Sequence, residues 1–218
     1  MKIVCDFDGT ITPYDVTDAV LAAFAPPIWE DIEQEWLSGR ISAHQCMERQ
    51  IALLDVPQSR LDAFLDDIPI TPGFREFVGF CQSHALDMRI ISDGLDYAIR
   101  RILSRHGLTV PVIANRLTMP SPSRYRLEFP YGAENCPSGV CKCRVAQADE
   151  PGTSIVLIGD SVSDFCLAGR AALVLAKRGK KLQEHCETHA FPYRLYDDFF
   201  DVREILSNPA CPLPATPV

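Results

Sequence analysis

Short apolar runs recur along the chain, and they are continuous rather than alternating with polar residues. The predicted strands lie at residues 2–5, 87–91, 111–114, 154–158 and 172–175, and the second of them, Asp-Met-Arg-Ile-Ile, also contains two charged residues. An uninterrupted apolar run of this length is typical of a strand that is buried on both faces. Because segments with helical periodicity separate the runs, the sequence predicts an α/β fold. Its core would be a Rossmann-like three-layer arrangement, with helices on both faces of a parallel sheet.

The segment between the first two predicted strands has helical periodicity throughout. Its first apolar face has the spacing i, i+3, i+4, i+7, i+8 of a helix and consists of Val16, Ala19, Val20, Ala23 and Phe24. Pro26-Pro27 ends this helix, and Ser42 and Ser59 are suited to cap later ones. The sequence therefore predicts a small bundle of helices inserted directly after the first strand.

These patterns give the predicted boundaries. Residues 1–14 and 69–206 form the Rossmann-like core, and residues 15–68 form the inserted α-helical bundle cap. The last segment, 207–218, contains four prolines and is predicted to be a disordered tail.

Polar residues directly follow three of the predicted strands. They are Asp6 and Asp8, then Ser92, then Asp160 and Asp164. Because the carboxyl ends of parallel strands meet at one edge of a sheet, four carboxylates are expected to crowd together there. Two unit charges ~4 Å apart repel by about 4 kcal/mol at an effective dielectric of 20. A hard cation that removes this repulsion and shares its site with phosphate oxygens is Mg²⁺, which is the expected cofactor.

Composition limits the partners. The chain has 218 residues and a net charge of −8, which argues against nucleic acid because such binding depends on clustered Lys and Arg. No apolar run approaches the ~20 residues that cross a bilayer. The N-terminus lacks the apolar region of a signal peptide. We therefore expect a cytoplasmic protein that binds neither nucleic acid nor membrane, and the sequence leaves its oligomeric state open.

Nine cysteines, in a chain without a secretion signal, argue against a disulfide framework. Three of them, Cys136, Cys141 and Cys143, have the spacing C-x4-C-x-C. A structural zinc site usually has four ligands in C-x2–4-C pairs, and the sequence does not point to a fourth ligand. We interpret the three as reduced thiols in a loop beside the site, with a bound metal and a disulfide as the open alternatives.

The segment after the first strand matches a known signature. The run DFDGT at 6–10 fits the DxDx[TV] motif of haloacid dehalogenase-type phosphatases, and the other motifs follow in order at Ser92, Lys142 and GDSVSD, 159–164. The chain thus resembles the haloacid dehalogenase superfamily, and its helical block resembles the cap of the phosphoserine phosphatase-like subgroup. CDFDGTIT, FAPP, TPGF and the Cys-Lys pair also resemble one family of methionine-salvage phosphatases. That family acts on 2-hydroxy-3-keto-5-methylthiopentenyl-1-phosphate.

The resemblance implies a Mg²⁺-dependent phosphoric monoester hydrolase that acts on a small phosphorylated metabolite. Asp6 would be the nucleophile and would form an aspartyl phosphate, while Asp8 would protonate the leaving group and then activate water. The implied metal-binding residues are Asp6, Asp8 (through its backbone carbonyl), Asp160 and Asp164. The implied phosphate-binding residues are Ser92, Asp93, Gly94 and Lys142.

Some assignments have alternatives. Lys177 and Arg144 are rivals of Lys142, because the third motif is a single residue. The same motifs would also serve a phosphoserine phosphatase, a phosphotransferase or a phosphomutase. A binding module without catalysis is a further alternative, against which the intact motifs argue.

Two residues near the first motif are predicted to set substrate specificity, Asp15 and Tyr14. Asp15 lies nine residues after Asp6, where phosphoserine phosphatases carry a glutamate that contacts the substrate's amino group. An aspartate at this position is equally suited to cap a helix.

Overall fold

The computed structural model describes residues 1–147 and 154–208. Its strands are β1 Lys2–Cys5, β2 Asp87–Leu95, β3 Val112–Ser121, β4 Arg124–Glu128, β5 Ile155–Gly159, β6 Leu173–Lys177 and β7 Tyr193–Tyr196. They form one sheet in the order β4-β3-β2-β1-β5-β6-β7. Neighbouring strands are parallel, except that β3 and β4 form an antiparallel hairpin. The predicted α/β fold class is confirmed, with an antiparallel strand at one edge.

Helices lie between consecutive strands everywhere except in the hairpin of β3 and β4. They are α1 Val16–Phe24, α2 Ile28–Leu37, α3 Ala43–Ala52, α4 Gln58–Asp66, α5 Phe74–Ser83, α6 Asp96–Arg105, α7 Lys142–Gln147, α8 Phe165–Ala168, α9 Lys181–His189 and α10 Phe199–Ser207. A short 3₁₀ turn, Val162–Asp164, precedes α8. None of the described helices has the length and apolarity required to cross a membrane.

Side chains of β1 alternate between two cores. Ile3 and Cys5 belong to the larger core, which includes residues of α5, α6 and α10, whereas Val4 belongs to the smaller core against α8 and α9. All three are fully buried. Since burying a side chain of this kind stabilises by roughly 1.5–3 kcal/mol, a strand buried on both faces is held firmly in the centre of the sheet. The residues that follow β1 therefore have a fixed position.

Four of the five helices between β1 and β2, α1 to α4, form the inserted helical block. Thr71 joins two segments: the one in which the chain leaves the core for this block, and the one in which it returns. Its N–H donates to the Ile11 carbonyl at 2.7 Å, and its hydroxyl donates to the Thr10 carbonyl at 2.9 Å. The block also contacts the hairpin, where the Tyr125 hydroxyl donates to the Val56 carbonyl at 2.9 Å.

The sequence analysis predicted two helix caps in the block, Ser42 and Ser59, of which the structure confirms one. Ser42 caps α3 as expected, with a reciprocal bond from Gln45. Ser59 was the wrong cap, because α4 begins at Gln58 after Pro57 and Ser59 lies inside the first turn. The sequence analysis also missed α9 and β7. Of the predicted tail, only Ser207 and Asn208 are described, and residues 209–218 lie outside the described chain.

Candidate active site

The predicted polar residues meet at the carboxyl edge of the sheet. Asp6 directly follows β1, and β1 lies between β2 and β5. Pairing of β1 with β2 ends at Cys5 and Ile90, so the chain at Ser92 is free to turn toward Asp6. Asp160 directly follows β5 on the other side. The convergence expected from a parallel sheet is therefore present.

Asp6 is buried and is held by three donors. Its Oδ1 accepts a hydrogen bond from the N–H of Phe7 at 2.8 Å. Its Oδ2 lies 2.8 Å from Nζ of Lys142 and 3.3 Å from the hydroxyl of Ser163. These contacts fix the direction of one carboxylate oxygen, as a group that attacks along a defined line requires.

Lys142 is the first residue of α7, and its side chain is 0% exposed. Besides Asp6, its Nζ contacts Oδ1 of Asp164 at 2.6 Å. Burial alone would lower the pKa of Lys142, but the two carboxylates raise it above its ordinary value, so the ammonium stays charged. The rivals lie differently: Arg144 is exposed, and Nζ of Lys177 donates to the Gly9 carbonyl at 2.8 Å. The geometry favours Lys142 as the cation beside Asp6.

Asp8 has a different environment from Asp6. Its Oδ1 accepts from the N–H of Val16 at 2.8 Å, and its Oδ2 accepts from the Ser92 hydroxyl at 3.4 Å. Burial raises the pKa of Asp8 well above its ordinary value, and the charges of Asp15 and Asp6 raise it further. A carboxyl group with a raised pKa is suited to act as a general acid. Two neighbouring carboxyl groups thus have environments that suit two different roles.

Ser92 and Gly94 lie near the end of β2, against the carboxylate of Asp8. Ser92 is 0% exposed, and the N–H of Gly94 donates to its hydroxyl oxygen at 3.0 Å. A methyl group at Gly94 would overlap the carboxylate of Asp8 and lie 3.2 Å from the Ser92 hydroxyl oxygen. Glycine is therefore required here by the close approach of the Asp8 carboxylate.

We expect Gly94→Ala to lower kcat by about 100-fold, because the added methyl displaces Asp8 by a distance on the order of 1 Å. The measurement is steady-state phosphate release, together with circular dichroism to show that the variant folds. Gly79→Ala is the matched control, since nothing lies within 4 Å of the added methyl on α5. Equal activity in the two variants would contradict the proposed steric conflict.

The structure limits the predicted phosphate-binding role of Asp93. Its carboxylate accepts the N–H groups of Gly139 at 3.1 Å and Val140 at 2.5 Å, and its carbonyl accepts from Asn115 at 2.6 Å. A carboxylate used in this way positions the loop before α7 and would repel a phosphate. Any contact of Asp93 with phosphate would have to come from its backbone N–H.

The donor set fits a magnesium ion. Carboxylate oxygens of Asp6, Asp160 and Asp164 lie within 4.8 Å of one another. Burial raises the pKa of Asp160 to about 6, and the charge of Asp6 adds to this effect, so the carboxylates are crowded without a cation. Hard oxygen ligands of this kind are those that Mg²⁺ prefers. The Asp160 carboxylate accepts from the hydroxyl of Thr10 at 3.2 Å, a support that the sequence analysis missed although Thr10 lies within the first motif.

Asp164 differs from Asp6 and Asp160 because it is fully buried and, unlike them, is not among the described residues that line the cavity above the site. Oδ1 accepts from Lys142, and Oδ2 accepts from the N–H groups of Asp160 and Ser161 at 3.1 and 3.2 Å. The side-chain oxygens best placed to hold a metal therefore belong to Asp6 and Asp160. Asp164 orients Lys142 and the turn after β5.

A cavity of about 470 Å³ opens above these residues, between the sheet edge and the helical block. The predicted specificity residues Tyr14 and Asp15 both line it. Asp15 also caps α1, because its carboxylate accepts the N–H of Asp18 at 3.0 Å. Both sequence-based interpretations of Asp15 are thus compatible with its position. Trp36 and Met47 line the helical side, and the sequence analysis did not single out their contact with the cavity.

Comparison with known proteins relates this geometry to a family. The sequence profile of the haloacid dehalogenase-like hydrolases matches residues 3–169, which include all four motifs. The chain belongs to the haloacid dehalogenase-like hydrolase family. The family and the enzyme class expected from the sequence are both confirmed, since the curated relatives of this hydrolase are named phosphatases.

Two of these relatives carry the name 2-hydroxy-3-keto-5-methylthiopentenyl-1-phosphate phosphatase. The hydrolase is 33% identical over 215 residues to the one from Brevibacillus brevis, covering 95% of this chain and 96% of the relative. It is 33% identical over 210 residues to the one from Microcystis aeruginosa, covering 94% and 97%.

Among solved structures, the hydrolase is similar in fold to phosphoserine phosphatases. A phospho-aspartyl intermediate analogue of phosphoserine phosphatase matches with a TM-score of 0.69 and 21% identity, covering 94% of this chain and 96% of the other. The phosphoserine phosphatase from T. onnurineus matches with a TM-score of 0.70 and 14% identity, covering 95% and 94%. At these identities the likeness concerns the fold alone.

Proposed function

We propose that this hydrolase is a Mg²⁺-dependent phosphatase that removes phosphate from 2-hydroxy-3-keto-5-methylthiopentenyl-1-phosphate through an aspartyl phosphate on Asp6. The observation that carries the chemical part is the placement of Asp6 against the buried Lys142, with the raised pKa of Asp8 beside it. The likeness to relatives that bear this substrate in their name supports the specificity.

The first step uses Asp6 and Asp8. A carboxylate oxygen of Asp6 attacks phosphorus while the bond from phosphorus to the ester oxygen breaks, and the Asp8 carboxyl gives its proton to that departing oxygen. Lys142 and the hydroxyl of Ser92 would contact the phosphoryl oxygens and stabilise their charge. Mg²⁺, held by Asp6, the Asp8 carbonyl and Asp160, would neutralise negative charge on the transferring group.

The second step reverses the role of Asp8. Its carboxylate takes a proton from water, the water oxygen attacks phosphorus, and the bond to the Asp6 oxygen breaks. Inorganic phosphate and the free Asp6 carboxylate result. The hydrogen bond from Val16 holds the Asp8 carboxyl in place for both proton transfers, and this donor lies at the start of the helical block.

The chemistry of the cavity supports this substrate over phosphoserine. Trp36 and Met47 offer an apolar wall to a methylthio group, and sulfur makes favourable contacts with aromatic rings. On the helical side of the cavity, Asp18 and Glu33 add negative charge, and within the described chain no Lys or Arg lines that side. Lys180 and Lys181 line the opposite side of the cavity, so a substrate carboxylate such as that of phosphoserine would meet no cation on the helical side, whereas an uncharged hydroxyl or keto group needs none.

The helical block would act as a cap that covers the cavity, excludes bulk water and selects the leaving group. Two features support this role. Residues of α1, α2 and α3 line the cavity opposite the sheet edge. Contacts also hold the block on the core, since Thr71 pairs the two connecting segments and Arg101 of α6 forms an ion pair with Asp66 of α4 at 2.8 Å.

The decisive experiment is phosphate release from a panel that contains the methylthio enediol phosphate, phosphoserine and simple alkyl phosphates. We expect kcat/KM for the methylthio substrate to exceed that for phosphoserine by roughly 100-fold. Addition of EDTA should abolish release, and Mg²⁺ should restore it. Preference for phosphoserine would refute the specificity, and phosphate appearing only on an added acceptor would indicate a phosphotransferase.

A pair of tryptophan variants tests the apolar wall. Trp36→Leu should raise KM for the methylthio substrate about 10-fold and leave kcat for a simple alkyl phosphate unchanged. Trp29→Leu is the matched control, because Trp29 packs against the large core and is not among the described residues that line the cavity. Equal changes in KM for the two variants would argue against contact between Trp36 and the substrate.

A further inference from the structure

Four cysteine sulfurs meet where the loop before α7 contacts α8. They form what we call the thiol cluster: Cys136, Cys141, Cys143 and Cys166. The sulfurs of Cys136, Cys141 and Cys166 lie within 4.8 Å of one another. The sulfur of Cys143 lies 3.5 Å from that of Cys141 and also interacts with Cys166. The fold thus supplies a fourth thiol that the spacing of the first three did not reveal.

The spacing of the cluster matches that of a tetrahedral metal site. A zinc ion bonds four thiolates at ~2.3 Å, which puts neighbouring sulfurs about 3.8 Å apart. The separation of 3.5 Å between the sulfurs of Cys141 and Cys143 lies near this value, and the sulfurs of Cys136, Cys141 and Cys166 lie within 4.8 Å of one another. A disulfide would require its two sulfurs to lie about 2.05 Å apart, and the four cysteines are free.

The surroundings also suit a thiolate-bound cation. The backbone N–H groups of Ser138, Arg144 and Cys143 act to lower the pKa of Cys136, Cys141 and Cys166 respectively, against the effect of burial. An N–H group that lowers the pKa of a thiol favours its negative form. Zinc with four thiolates carries a net charge of −2, and the guanidinium groups of Arg144 and Arg170 act electrostatically on the cluster. The charge of a filled site would therefore be partly balanced.

We propose that the thiol cluster binds one Zn²⁺ as a four-thiolate structural site. A closed site of this kind leaves no open position for water or substrate, so its role is to hold the chain. It is distinct from the carboxylate site at Asp6 and Asp160, which offers hard oxygen ligands. Sulfur ligands select zinc, whereas carboxylates suit magnesium.

The position of the cluster indicates what zinc would hold in place. Cys141 and Cys143 flank Lys142, and Cys166 follows Asp164 by two residues. Zinc would therefore cross-link the start of α7 to the start of α8, next to the ion pair between Lys142 and Asp164. Cys136 would tie down the loop that brings Pro137 and Ser138 to the cavity. The metal would position Lys142 without touching the substrate.

The test is the zinc content of the full-length protein, purified and dialysed against buffer that contains Mg²⁺ and no zinc. We expect about one zinc per chain, and at least a ten-fold loss in the double variant Cys136→Ala/Cys166→Ala. Cys186→Ala is the matched control, since Cys186 is buried in the smaller core outside the cluster and should retain zinc. Asp160→Asn should also retain zinc, which separates this site from the carboxylates.

A second measurement on the wild-type protein does not depend on the folding of a variant. Replacement of the metal by Co²⁺ should give the thiolate-to-cobalt charge-transfer absorption and the visible bands of a tetrahedral site. Removal of zinc by a chelator should lower Tm by more than about 5 °C. Wild-type protein that holds no zinc, zinc retained in the double variant, iron in its place, or a disulfide within the cluster would each overturn the proposal.

Discussion

Replacing Asp6 by asparagine is expected to reduce kcat by at least about 10⁴-fold, because an amide oxygen does not replace the carboxylate nucleophile. No aspartyl phosphate can form at this position. The substitution preserves the hydrogen bond from Phe7 to Oδ1 and the burial of the side chain, but it removes the ion pair with Lys142, so circular dichroism must show that the variant folds. The measurement is single-turnover phosphate release, with a search for a covalent phosphate adduct on the denatured protein.

Asp87→Asn is the matched control for this experiment. Asp87 begins β2, and its carboxylate forms an ion pair of 3.1 Å with Arg89 in which both side chains are partly exposed. Pairs of this kind contribute at most about 1 kcal/mol, so the control should retain full activity. If Asp6→Asn retained turnover close to that of Asp87→Asn, Asp6 would not be the nucleophile and the proposed mechanism would fail.

Lys142→Met is expected to have two large effects. Loss of a charged donor to the phosphoryl group should lower kcat by about 10²–10³-fold. Asp6 and Asp164 would also be left buried without their cation, which should cost about 3–5 kcal/mol in the free energy of unfolding. Chemical denaturation in the presence of EDTA measures the second effect, since no metal then compensates for the lost charge.

Lys177→Met tests the rival assignment. Nζ of Lys177 donates to the Gly9 carbonyl, and this side chain is only partly buried, so its removal should cost less in both stability and turnover. A larger loss of turnover in Lys177→Met than in Lys142→Met would transfer the phosphate-binding role to Lys177. Similar losses would contradict the distinct role that the ion pairs give to Lys142.

The core of the fold could be predicted because the central strands β1, β5 and β6 are short apolar runs followed by polar residues. β7 was missed because it is a four-residue edge strand whose residues are mostly half-exposed or exposed. α9 was missed because only Leu182 and Cys186 are buried along it, which gives a weak apolar face. Ser59 fits the composition of a cap, but Pro57 already fixes the start of α4 one residue earlier.

The candidate site, like the fold, could be predicted only in part from the sequence. Parallel topology was sufficient to predict that Asp6 and Asp160 converge, because it brings strand ends together, whereas Lys142 was assigned to the site only through the family resemblance. The role of Asp93 could not be predicted, since its partners in the loop before α7 are backbone N–H groups, which any residue type supplies. Cys166 likewise has no local spacing that links it to Cys136, and only the contact between α7 and α8 brings them together.

The bonds from Thr71 to Thr10 and Ile11 place the exit and return points of the helical block side by side. Because the two ends of the block are already paired, inserting the block costs little loop-closure entropy. That entropic cost grows only slowly with the number of inserted residues. A different block could therefore occupy the same junction without moving Asp6. Evolution can therefore change the helical block, and with it the range of substrates, while the residues that remove phosphate stay unchanged.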